Sequence, residues 1–287
     1  MGGGGVFGAS HVGIVHALEQ RGFAPDLIIG TSVGALTGAI AAAYPDDASQ
    51  RLDDVWAHLR RSKVFPLDLR PSRASLFADR GLRRLISRSG LPQRIEDLAV
   101  PFAAVAMDLD TGAPALIDHG DLESALLASA AIPGILPPVD RDGRTLVDGG
   151  LVAHVPVLAA LEVGAASAVV MSTGPECTPL RPAPRRRAGS VVARAGRVWG
   201  RHQIERDLHE VSQHIPTIVV PTGVDEWPAP WDFRQSQRLI TTAVNTAGAF
   251  LDGLQVRGPG LYRAGQAPAT ARARTLGTAT ELLEVGR

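Results

Sequence analysis

The chain has 287 residues and a formal net charge of zero, which gives room for one large domain with a substantial core. A balanced charge excludes a general nucleic-acid binder acting through an overall basic field. The single cysteine, Cys177, cannot close an intrachain disulfide, and this points to a reducing, cytoplasmic setting.

The first residues, Met1 and four glycines, lack the basic then apolar pattern of a secretory leader. Gly2 to Gly8 form a loop that delivers the chain into a predicted helix from Ala9 to Arg21, with Val12, Val15 and Leu18 at helical spacing. A glycine loop at a helix N-terminus is an anion cradle, because its backbone N–H groups and the helix dipole both favour negative charge. Gly3, Gly5 and Gly8 also fit the dinucleotide fingerprint, with Asp26 about 20 residues further on. Either use of the loop expects a strand just before the glycines, so a first strand is expected to be missing.

Asp26 to Ile29 is a predicted strand, and Val33 to Ala43 a predicted helix with small residues at Gly34, Gly38 and Ala42. Between them lies Gly30-Thr31-Ser32-Val33-Gly34, a G-x-S-x-G elbow that lifts a serine hydroxyl from the sheet edge on a sharp turn. The same pentapeptide also fits an ordinary strand-to-helix turn. The polar and glycine residues here break up the most apolar window, Leu27 to Tyr44, and argue against a transmembrane span. Helices and loops without evident chemistry fill Ala48 to Gly90.

Phe102 to Met107 is a buried strand, followed by an acidic turn, a partner strand from Pro114 to Ile117 and a helix from Asp121 to Ala128. Gly143 to Val147 is a short strand stopping at Asp148-Gly149-Gly150, a turn that suits a carboxylate aimed at a neighbouring loop. A helix from Val155 to Val163, a strand from Ala168 to Ser172, a late strand from Ile218 and a closing helix from Phe233 to Leu251 follow. Between Glu176 and Glu205 there is no acidic residue, while Arg181, Arg185, Arg186, Arg187, Arg194, Arg197 and Arg201 crowd the window. That window fits a solvated loop and helix or, alternatively, a transient contact with an anionic membrane surface. Alternating strands and helices predict an α/β fold, its sheet mainly parallel with helices on both faces. The loops of Ser32 and Asp148 both follow apolar strands and are candidates to meet. His11, His16, His154, His202, His209 and His214 carry no context marking a triad, and no cluster of His, Cys and carboxylates marks a metal site.

In combination these blocks resemble the patatin-like phospholipases. The resemblance rests on Gly3-Gly4-Gly5-Val6-Phe7-Gly8, His11-Val12-Gly13-Ile14, the Ser32 elbow, Ser129-Ala130-Ala131-Ile132-Pro133, and Asp148-Gly149-Gly150-Leu151 with Val155-Pro156-Val157. It implies a three-layer sandwich and a bacterial lipid acyl hydrolase that needs no cofactor. Ser32 would be the nucleophile, Asp148 the base, and the amides of Gly3, Gly4 and Gly5 the oxyanion hole. Gly8, Gly30, Gly34, Gly149 and Gly150 would be the motif glycines. The expected organisation is a catalytic core over 1–178, an Arg/Pro-rich connector over 179–204, a completing strand and helix over 205–252 and a tail over 253–287. Two positions depart from the family: Phe7 stands where it usually has arginine, and Ala153-His154 where it usually has asparagine. Two rival readings are a non-catalytic lipid-binding or interaction module and a nucleotide-binding α/β protein.

Overall fold

A computed structural model describes residues 1–67, 75–174, 188–229, 232–265 and 269–270. Cys177, Arg181 and Arg185 to Arg187 lie outside the described residues, as does the tail beyond 270.

The glycine loop tightens into a 3-10 turn, Gly5–Gly8, and runs into α1, Ala9–Glu19. Strand β1, Ile28–Thr31, leads through Ser32 into α2, Val33–Ala43. Helices α3 (Ala48–Ala57), α4 (Arg61–Val64) and α5 (Arg80–Arg88) precede the long apolar strand β2, Phe102–Asp108. Then come β3 (Pro114–Ile117), α6 (Leu122–Ser129), β4 (Val139–Arg141) and β5 (Arg144–Asp148). The remainder comprises α7 (Ala159–Glu162), β6 (Ala168–Val170), α8 (Ala188–Ser212), β7 (Pro216–Val219), α9 (Ser236–Asp252), β8 (Gly260–Arg263) and β9 (Ala269–Thr270).

The result is the expected α/β sandwich, with parallel pairing at its centre: β1 with β2, and β6 with β7 and β8. Antiparallel strands β3, β4, β5 and β9 extend the margins. Pleating shares the residues of β7 and β8 between two layers. Ile218 and Tyr262 enter the main core with α1 and α9, whereas Val219 and Leu261 pack with Ile204, Leu208 and Val211 of α8.

Three stretches differ from the sequence reading. The helix expected from Val155 shrinks to α7, because Pro156 disfavours helical backbone at its predecessor and brings no N–H of its own. Val155 and Val157 are buried beside α8 instead. The helix expected in the arginine-rich window runs on for 25 residues to Ser212, and its Ile204, Leu208 and Val211, at helical spacing, are buried rather than solvated. Within the stretch read as a tail, Gly260–Arg263 is a strand paired with β7.

Candidate active site

The register of β2 brings Ser32 and Asp148 together. β1 pairs with the first half of β2 and ends with Thr31 opposite Val105. β5 pairs with the second half, running the other way, and ends with Asp148 opposite Ala106. The two strands share one edge of β2 and meet head to head, each ending in a functional residue. β3 takes the other edge.

Ser32 stands on a backbone of φ 55° and ψ −122°, a left-handed conformation rare for a residue with a side chain. The turn closes tightly because a Cβ on Gly34 would run into the Met1 and Gly2 carbonyls. The Ser32 amide donates to Ser129 Oγ at 2.8 Å, and Ser129 Oγ donates to the Val105 carbonyl at 2.6 Å. One hydroxyl thus ties the elbow to the strand that sets its position.

Ser32 Oγ donates to Asp148 Oδ2 at 2.6 Å, and the Gly150 amide donates to Asp148 Oδ1 at 2.7 Å. Both side chains are nearly enclosed, with Ser32 7% and Asp148 6% exposed. Burial raises the Asp148 pKa above the ordinary carboxylate value, against the hydrogen bonds from Ser32 and Gly150 and the charge of His154. A carboxylate so placed is a stronger base than one in water.

The glycine loop lies beside the elbow, and Gly5 and Ser32 line the same cavity. The Gly3 amide, expected as an oxyanion donor, is already engaged: it donates to the His154 carbonyl at 2.8 Å. With that amide engaged, Gly4 and Gly5, at φ 141° and 58°, are the loop's remaining candidate donors. A Cβ on Gly4 would sit 2.6 Å from Thr173 Oγ1, so that position needs glycine on two counts. Phe7 is buried and packs edge-on against Trp227 at 5.0 Å.

Among the histidines, His11 is fully buried against the Met171 carbonyl, and burial lowers its pKa to about 3, so it is neutral. His16 pairs with Asp53 at 2.8 Å, away from the elbow. His154 is different. Thr31 Oγ1 holds the Ala153 carbonyl at 2.8 Å and Gly3 holds that of His154, so this segment is pinned to both the elbow and the glycine loop. The His154 ring lies close to Gly3 and Gly150, beside the Asp148 turn. Ser129 stood in one of the blocks that carry the resemblance and His154 at a departure from the family's asparagine, but sequence pattern assigned neither a role at the site.

From Ser32 an apolar cavity runs inward between α2, α3 and α5, lined by Leu36, Ile40, Val55, Trp56, Leu85 and Ile86 among others. The hydrogen-bonded Ser32 and Asp148 thus stand beside a space walled by apolar side chains.

The patatin-like phospholipase family model matches residues 1–161. The chain belongs to the patatin-like phospholipase family. It is 35% identical over 182 residues to patatin-like phospholipase domain-containing protein 6 of Mus musculus, which covers 61% of this chain and 13% of that protein. It is 35% identical over 188 residues to an uncharacterized NTE family protein of Mycobacterium tuberculosis, covering 64% of this chain and 51% of the relative. The chain therefore spans about half or less of the length of these relatives. Among solved structures, VipD from Legionella pneumophila aligns at a TM-score of 0.40 and 13% identity, over 87% of this chain and 65% of that one.

Proposed function

We propose that this family member is a serine lipid acyl hydrolase of the phospholipase A or esterase type, cleaving carboxylic esters through an acyl-enzyme on Ser32. The observation that carries the reading is the 2.6 Å Ser32–Asp148 hydrogen bond at the mouth of the apolar cavity. Asp148 takes the hydroxyl proton as Ser32 Oγ attacks the ester carbonyl carbon. The negative charge of the tetrahedral intermediate faces the Gly4 and Gly5 amides, an arrangement in which one donor is worth about 10²–10³ in rate in other hydrolases. Collapse breaks the ester C–O bond, and the proton on Asp148 leaves with the alcohol. A water molecule, deprotonated by Asp148, then attacks the acyl-enzyme and releases the fatty acid and free Ser32. The bound acyl chain lies in the cavity. The enzyme works at a lipid surface in the cytoplasm, with the arginines between 181 and 201 as the contact to anionic headgroups.

A fluorophosphonate probe tests the nucleophile. Wild type is labelled covalently and Ser32→Ala is not, while turnover of a lipid ester falls about 10⁴-fold in Ser32→Ala and Asp148→Asn. Mass spectrometry of a mixed lipid extract identifies the acyl products. Folded wild type that neither takes the probe nor releases fatty acid would favour the non-catalytic lipid-binding reading.

A further inference from the structure

Helix α5 has two unlike faces. Leu82, Leu85 and Ile86 turn inward and wall the cavity that reaches Ser32. The outward face carries Arg80, Arg84 and Arg88, all exposed and spaced i, i+4, i+8, a row about 12 Å long. Like charges at that spacing repel one another along a helix. The acidic side chains of Asp79 and Glu123 both bind Arg83 instead. Among the described residues no carboxylate pairs with Arg80, Arg84 or Arg88. Exposed Lys63 of α4 joins this face, since a Cβ on Gly81 would run into the Lys63 and Val64 carbonyls and the two helices touch there.

Beside the row the protein is apolar and exposed. Phe65 lines the cavity and packs edge-on against Phe77 at 5.8 Å. The Leu76 and Phe77 amides donate to the Gly134 and Ile135 carbonyls at 2.9 and 3.0 Å, which holds this extended segment next to Ile132, another lining residue. Alternation along the segment turns Phe77 inward and Leu76 outward. Leu67 and Leu76 are each 62% exposed, and Ile132 is 38% exposed. Arg80 links the two features, its guanidinium donating to the Leu67 carbonyl at 3.2 Å. Basic and apolar groups thus adjoin on the outer side of one cavity wall.

We propose that this α4–α5 face docks the protein on an anionic phospholipid bilayer, with the arginine row on the headgroups and Leu67, Leu76 and Ile132 in the acyl layer. The proposal rests on the hydrolase reading for what enters the cavity, and it concerns a surface separate from the arginines between 181 and 201. Charge complementarity selects the partner: a sheet of phosphodiester headgroups attracts the basic side chains and relieves the repulsion within their row. The apolar side chains select it further. A soluble polyanion satisfies the arginines but leaves Leu67, Leu76 and Ile132 in water, whereas a bilayer offers hydrocarbon just below its charged surface. Docked in this way, the cavity wall lies against the lipid from which an acyl chain is drawn.

The test is sedimentation of the full chain with vesicles of phosphatidylcholine alone or with about 30% phosphatidylglycerol, using Ser32→Ala so that the lipid stays intact. Binding is expected to the anionic vesicles and to weaken as salt is raised. Adding Lys63→Glu, Arg84→Glu and Arg88→Glu should weaken it about 100-fold, and adding Leu67→Ser with Leu76→Ser instead about tenfold. Both sets lie on the exposed surface, so the melting temperature should be kept. Undiminished binding in either set would overturn the proposal. Retention on immobilised DNA without sedimentation would overturn it in favour of a soluble polyanion. With Ser32 restored, the three-charge variant should hydrolyse a short soluble ester as wild type does and lose turnover only on anionic vesicles. A wild type inert toward both substrates would overturn the hydrolase reading alone, with sedimentation still deciding the docking.

Discussion

In the proposed mechanism Asp148 has to serve two opposed demands. As a base it must be ionised, yet burial disfavours its charge. Activity is therefore expected to rise with pH through a pKa above the ordinary value of about 4, and a kcat/KM profile flat down to pH 4 would contradict the assignment. The same shift bears on stability. A carboxyl whose folded pKa is raised contributes stability below its unfolded pKa and loses it as pH rises through the folded one. Asp148→Asn should thus melt higher than wild type at neutral pH while losing activity, as calorimetry and ester turnover would show together. The charge of His154 pulls the Asp148 pKa down, so in His154→Asn the acid limb should move to higher pH, with probe labelling of Ser32 retained. Ser32 and Asp148 were legible in the sequence because an elbow and a DGG turn are local patterns. The place of His154 was not, since it depends on Thr31 and Gly3 holding a segment more than 100 residues away.

Among the elements, β2 does most to define the site. It offers Thr31 and Asp148 adjacent partners, Val105 and Ala106, along one edge. Ser129, from the end of α6, fastens the elbow to that strand. Replacing it by alanine leaves the Ser32 amide and the Val105 carbonyl without their shared hydroxyl. The expected cost is about 1–3 kcal/mol in denaturant unfolding, with a fall in labelling rate as the elbow loosens. Gly34→Ala drives a Cβ into two backbone carbonyls and should cost about 2 kcal/mol or more by the same measurement. Periodicity located β2, α2 and α6 to within a residue or two of their ends. It overran at Val155, where Pro156 governs the backbone, and it passed over Gly260–Arg263, too short to show alternation against its surroundings. Proximity of the two loops was foreseeable, but their head-to-head meeting was not, because strand direction is set by pairing partners.

At the scale of the molecule, the cavity proposed to hold the acyl chain is walled by helices that contribute neither Ser32 nor Asp148. Leu82, Leu85 and Ile86 of α5 wall it opposite α2, so Leu85→Trp should reduce turnover of long-chain esters while sparing short ones such as acetate or butyrate. Comparing kcat/KM across a chain-length series reads this directly. A flat series would place the acyl chain elsewhere. The Ser32 elbow and Asp148 are separated by 116 positions in the chain, and their hydrogen bond exists only once β1, β2 and β5 have all found one another. Such distant pairings are slow to form because the intervening chain must first be ordered. In a refolding experiment, compactness and helicity are expected to return before the capacity to react with a serine probe. On the proposed mechanism, the Ser32 hydroxyl is thereby kept inert until the chain has committed to its final topology.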